Sequence, residues 1–203
     1  MLMQVFEYSD EEIDYLKQRD PKLGVVIDRV GHVDISINEN VFESIVISMI
    51  SQQISKAAAD SILKKLSNRF GGLSAGDICK CDAKALRECG LSERKASYML
   101  GLGKAIVDGI VDFSNLSNLS NEAVIAELVK LKGVGVWTAE MTLIFSLGRK
   151  NIFSWRDLGI RKGLMKLNEC NELSQIDIEN YRAIYSPYCS IASFYLWKIC
   201  HRK

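Results

Sequence analysis

The chain is short of proline: Pro21 and Pro187 are the only two in 203 residues. Proline removes a backbone donor and clashes with the preceding turn, so few helices here are interrupted. No C-x-x-C pair occurs among its six cysteines, Cys79, Cys81, Cys89, Cys170, Cys189 and Cys200. That spacing argues against a zinc ribbon or a thioredoxin-type site. Cys79 and Cys81 stand one residue apart in a segment read as helix-breaking, where ordinary packing is the commoner meaning and a metal role the rarer one. Long apolar runs are also missing. Ile45–Ile50 and Thr142–Leu147 fall far short of the ~20 residues that span a bilayer. Met1-Leu2-Met3-Gln4 lacks a basic stretch followed by an apolar one, so no signal peptide is expected. Reduced thiols and a cytoplasmic, nucleoid-associated location are the expectations that follow.

Net charge is nearly absent too, at +1, but it is unevenly spread. Residues 1–40 carry a net −5 and residues 41–203 a net +6. A mildly basic body allows a polyanionic partner without requiring one.

What is present is helical periodicity. Phe42, Ile45, Val46, Met49 and Ile50 fall on one face of a helix starting at Asn40. Before it, a first helix enters at Ser9 or Asp10, and a second runs from Asp20-Pro21 to just before Gly31. Ser51–Ser55 is a break, and a helix from Lys56 to Phe70 stops at Gly71-Gly72. Further helices are expected at 82–89, 92–110, 120–130, 136–147, 157–167, 177–185 and 187–201, with Asp82, Ser92 and Ser120 or Asn121 as N-caps. Val33–Ile37 alternates but is short for a strand, and Ser114–Asn121 reads as an exposed loop. The fold class is all-α.

Two segments carry chemistry. The first is Leu131-Lys132-Gly133-Val134-Gly135-Val136-Trp137-Thr138-Ala139, a glycine turn between two helices. By itself it is an ordinary helix-to-helix turn or an anion site. The turn presents the N–H groups of the following helix, which suit a phosphate. The second is Phe153-Ser154-Trp155-Arg156-Asp157-Leu158-Gly159-Ile160-Arg161-Lys162-Gly163. Between Arg149 and Lys166 there are six cations, Arg149, Lys150, Arg156, Arg161, Lys162 and Lys166, and Asp157 is the only acid. Asp157 stands where a helix should start, so an N-cap is one meaning. A carboxylate stabilising positive charge within a phosphate-binding collar is the other.

The glycine turn resembles the hairpin of helix-hairpin-helix DNA glycosylases. Asp157-Leu158-Gly159-Ile160-Arg161-Lys162-Gly163 resembles the catalytic-Asp segment of the DNA-3-methyladenine glycosylase II family, with Trp137 in the hairpin 20 residues earlier, the family's spacing. Ile50-Ser51-Gln52-Gln53-Ile54-Ser55 is similar to its intercalating turn, Leu91–Ala96 to the segment before its central helix, and Pro187–Trp197 to its C-terminal helix. The resemblance implies two helical lobes, 36–145 and 1–35 with 146–203, separated by a DNA-binding cleft. It implies catalysis by Asp157 and a base pocket from Trp137, Met141, Leu158 and Trp197. It implies DNA contacts from Gly133, Gly135, Thr138, Gln53, Arg161 and Lys162. The backbone carbonyls of Val129, Leu131 and Val134 map onto a monovalent-cation site. Either Trp could equally be core. By position the resemblance makes Gln53, flanked by Gln52 and Ile54, the candidate plug for the hole that a flipped base leaves; the other meaning of both glutamines is exposed turn residues, and for Gln52 the two meanings weigh equally.

Bifunctional relatives carry a Lys nucleophile where Trp137 stands, and Lys132 lies before the turn. Direct hydrolysis by water is therefore implied. Iron–sulfur relatives carry four closely spaced cysteines after the catalytic helix, whereas Cys170, Cys189 and Cys200 are scattered, so no cluster and no required cofactor are expected. Met141 and Leu158 replace a Tyr of some relatives, Trp155 a Pro and Cys189 an Arg, which leaves lesion choice open. The leading expectation is a monomeric, monofunctional glycosylase removing alkylated bases from double-stranded DNA. The alternatives are another lesion, deaminated or oxidised, or a non-catalytic DNA-binding module.

Overall fold

The computed structural model describes residues 4–71 and 73–201. Met1–Met3, part of the stretch read for a signal peptide, and Gly72, half of the expected helix stop, lie outside them. In chain order the elements are β1 (Gln4–Val5), α1 (Asp10–Arg19), α2 (Pro21–Val30), β2 (Ser36–Ile37), α3 (Val41–Ser51), α4 (Lys56–Phe70), α5 (Ala75–Cys79), α6 (Ala83–Glu88), α7 (Glu93–Val107), a 3₁₀ turn (Phe113–Asn118), α8 (Asn121–Leu128), α9 (Val136–Phe145), α10 (Leu158–Leu167), α11 (Gln175–Tyr185) and α12 (Cys189–His201). Among the described residues a small sheet pairs β1 with β2 antiparallel, Gln4 opposite Ile37 and Val5 opposite Ser36. No described helix is long and apolar enough to cross a membrane.

Side-chain caps set most helix starts. Ser9 caps α1 in a reciprocal box with Glu12, and the Asp20 carboxylate accepts the N–H groups of Lys22 and Leu23 ahead of Pro21. Asn40, Ser55, Asp82, Ser92 and Ser120 do the same for α3, α4, α6, α7 and α8. Gly71, in the left-handed region, ends α4.

Two segments differ from the sequence expectation. The stretch leading to Cys79 is helical: Ser74 caps the short α5, and Ile78 is fully buried beneath it. The expected loop at Ser114–Asn121 is instead largely a 3₁₀ turn, because Asp112 caps it and Leu116 is fully buried. Burial of one apolar anchor decided both segments, and such an anchor is invisible to composition.

The described residues form two compact units. One is contiguous, Asn38–Leu147. Its core gathers Ile45 and Ile50 of α3, Leu66 of α4, Met99 and Leu102 of α7, Leu128 of α8, and Leu143 and Ile144 of α9. All five residues of the predicted α3 face are buried. The other unit joins the residues up to Ile37 with those from Gly148 onward. Leu16, Leu23, Ile160, Leu164, Ile191 and Leu196 fill its core. There α10 lies tight on α12: a Cβ at Gly163 would fall inside contact distance of the Leu196 carbonyl. In the same unit the Tyr185 hydroxyl donates to Asp20 at 2.7 Å, and burial pushes its pKa well up.

Candidate active site

In the unit built from both chain ends, Asp157 is the N-cap of α10, with φ −70° and ψ 123°. Its Oδ1 accepts the Ile160 N–H at 2.9 Å and the Trp197 indole Nε1–H at 2.8 Å. The two meanings that the sequence left open are thus compatible: the carboxylate caps the helix, and a second donor from α12 fixes its orientation. Gly159 makes this possible, since a Cβ there would stand 2.6 Å from Trp197 Cδ1 and 3.0 Å from Asp157 Oδ1. Asp157, Leu158, Gly159, Lys162, Lys166, Trp197 and Cys200 line an open groove of about 690 Å³. A carboxylate held this way can face positive charge developing on a ligand in the groove without reorganising.

The cations around it do not form a uniform collar. Lys150 pairs with Glu12 at 2.7 Å, Arg156 lies over the Trp155 ring at 5.4 Å, and Lys166 donates to the Cys200 carbonyl at 3.1 Å. Arg161 is half-buried, with its Nε enclosed and lacking an acceptor. Lys162 is exposed on the groove.

In the contiguous unit, Gly133 turns the chain with φ +90°, packed so closely on Tyr98 that a Cβ would stand 2.5 Å from the ring. Gly135 then N-caps α9, where no side chain caps the first turn, and a Cβ at Gly135 would meet open space. Backbone amides in such a turn are matched to an anion. Leu131 O accepts the Val134 N–H at 3.0 Å, so at most one of its lone pairs remains for a cation. Neutral carbonyls such as those of Val129, Leu131 and Val134 are the donors a hard monovalent ion takes. Lys132 extends over the Tyr98 ring at 6.0 Å.

The turn after α3 belongs to the same unit. Gln53 is exposed and has φ +60°, a left-handed conformation uncommon outside glycine. Gln52 is not an exposed turn residue: its Nε2 donates to the Thr138 hydroxyl of α9 at 3.3 Å. Lys95 of α7 donates to the carbonyls of Ile50 and Gln52, both at 2.7 Å.

The HhH-GPD superfamily base excision DNA repair model matches residues 46–185, which take in the turn, the hairpin and Asp157. The chain belongs to the HhH-GPD superfamily. It is 32% identical over 162 residues to DNA-3-methyladenine glycosylase 1 of Schizosaccharomyces pombe, covering 77% of this chain and 71% of that one. Its structure is similar to a DNA-3-methyladenine glycosidase of Bacillus halodurans, with TM-score 0.84 and 31% identity over 98% of this chain and 93% of the other. It is also similar to an S. pombe 3-methyladenine DNA glycosylase in complex with abasic DNA, with TM-score 0.82 and 28% identity over 93% and 95%.

In this HhH-GPD protein the expected site residues fall into two groups. Asp157, Leu158, Lys162 and Trp197 meet in one groove, with Leu158 exposed and Trp197 half-buried. Trp137, Thr138 and Met141 share α9; Trp137 is half-buried and the other two are buried. Thr138 is buried, its hydroxyl accepting from Gln52, so its side chain is withdrawn from the surface. Sequence reading missed the indole bond to Asp157 and the roles of Lys95 and Tyr98. Their partners lie 40 residues away for Trp197, and 43 and 45 for Lys95. No local pattern signals contacts at such separations.

Proposed function

We propose that this protein is a monofunctional DNA glycosylase that hydrolyses the N-glycosidic bond of alkylated bases of the 3-methyladenine type in double-stranded DNA. The observation that carries the reading is the doubly held Asp157 carboxylate beside an open groove. The activities named for relatives at about 30% identity support the lesion class. The target base leaves the stack, and Gln53 fills the hole. The C1′–N bond breaks with its electron pair passing to the base, and Asp157 stabilises the oxocarbenium. Asp157 also orients a water whose oxygen bonds to C1′, and it receives the proton. The products are free base and an abasic site. An alkylated purine is cationic, which lowers the barrier to departure and favours stacking on an aromatic ring; Trp197, with Leu158, offers one beside Asp157, and Trp137, with Met141, offers another on α9 of the contiguous unit.

The amides at Gly133, Gly135 and Thr138 hold one phosphate. On the unit that carries Asp157, Arg161 and Lys162 add positive charge that favours the DNA backbone. A monovalent cation on the Val129, Leu131 and Val134 carbonyls would stiffen the hairpin. No other cofactor is needed, and the protein works as a monomer on cytoplasmic DNA. Release of free 3-methyladenine or 7-methylguanine from alkylated DNA, run beside uracil and 8-oxoguanine substrates, tests this. Release confined to uracil or 8-oxoguanine would change the lesion. Binding without release of any base would make the chain a DNA-binding module.

A further inference from the structure

The turn between α3 and α4 is held in an unfavourable conformation by contacts from two other helices. Gln53 has φ +60°, which an L side chain adopts only where its surroundings impose it, and such residues gather at ligand clamps. The carbonyls of Ile50 and Gln52 lie at the end of α3, where helical partners run out. Both are taken by the Lys95 ammonium at 2.7 Å. Burial, then the neighbouring Arg94, lowers the pKa of Lys95, a sign that the ammonium has given up solvent to serve these carbonyls. On the other flank, Gln52 Nε2 reaches the Thr138 hydroxyl in the first turn of α9. One helical turn beyond Lys95, Tyr98 supports Gly133 of the hairpin. Helix α7 therefore braces both the turn and the hairpin, and the Gln52–Thr138 bond closes the loop between them.

We propose that Lys95 is a positioning residue that holds the Gln52-Gln53 turn ready to enter the duplex, at a spacing from the hairpin fixed through α7. This rests on the reading of Gln53 as the side chain that fills the vacated stack. Two of the three ammonium donors face inward, so Lys95 acts through the turn and not as a phosphate contact. Its loss should impair recognition of a gap in the stack while leaving the general grip on DNA intact.

The test uses the full chain as wild type, Lys95→Met, Lys95→Arg and Gln53→Ala. Affinity is measured for two duplexes that differ only in one abasic-site analogue, across a range of salt. The ratio of the two affinities cancels any loss of folded protein. Lys95→Met and Gln53→Ala should each lower that ratio about tenfold, the equivalent of one charge-assisted hydrogen bond. Lys95→Arg, which keeps charge and donors, should stay within about threefold of wild type. The salt slope should not change. If Lys95→Met keeps the wild-type ratio while Gln53→Ala loses it, or if the Arg variant is no better than Met, the Lys95 proposal fails alone. Equal weakening on both duplexes with the slope reduced by about one would make Lys95 a phosphate contact instead. A wild-type ratio in Gln53→Ala would remove the wedge reading, and this proposal with it.

Discussion

At the scale of single residues, Asp157 combines two tasks that are usually separate. Asn in its place retains an oxygen that can accept the Ile160 and Trp197 N–H groups, so the cap survives while the charge is lost. Asp157→Asn should therefore fold normally and bind DNA at least as well. Its base release should fall by a barrier of roughly 3–4 kcal/mol, read in single-turnover kinetics. Near wild-type turnover would reduce Asp157 to a helix cap. Trp197→Phe keeps an aromatic ring but removes the indole donor. One lost hydrogen bond to a charged group should slow base release about tenfold with little change in DNA affinity. Asp157 itself was legible in the sequence as the only acid among six cations. The donor that orients it was not, because Trp197 lies 40 residues away on another helix. The cationic stretch also misled in part, since Lys150 is spent on Glu12.

At the scale of elements, the hairpin glycines part company. Gly133 is required by geometry: φ +90° and the Tyr98 ring both exclude a side chain. Gly133→Ala should destabilise the fold by about 2 kcal/mol or more, seen as an earlier denaturant midpoint. Gly135 has ordinary extended angles and open space around its Cα. Gly135→Ala should fold as wild type yet bind every duplex more weakly, whatever its sequence, because the added methyl stands where a phosphate must approach. Undiminished affinity in that variant would count against the phosphate role. Most helices could be read from the chain because their starts are local. Ser9, Asp20, Asp82, Ser92 and Ser120 are caps within three residues of the amides they serve. The short α5 and the 3₁₀ turn at Phe113–Asn118 could not, since Ile78 and Leu116 hold them by tertiary burial. The turn at Gln53 was recognisable as a break, but its left-handed backbone depends on Lys95, whose acceptors lie 43 and 45 residues away.

At the scale of the whole molecule, the hydrolytic reading makes a chemical commitment. Trp137 has no amine to attack C1′, and Lys132 is directed over Tyr98. Turnover should leave an intact strand with an alkali-labile abasic site, and borohydride should trap no protein–DNA adduct. A stoichiometric adduct lost on mutating one Lys would overturn it. The path of the chain carries a further consequence. The unit Asn38–Leu147 is uninterrupted, and its two ends are tied by the Asn38 N–H bond to Phe145 O at 2.8 Å. In the other unit, the Ile37 side chain lies 3.3 Å from where a Gly148 Cβ would be, so its two segments also meet where the chain leaves and returns. The contiguous piece is thus arranged like a cassette spliced into a host. Expressed alone, it should fold and retain a salt-sensitive hold on undamaged duplex with no base release.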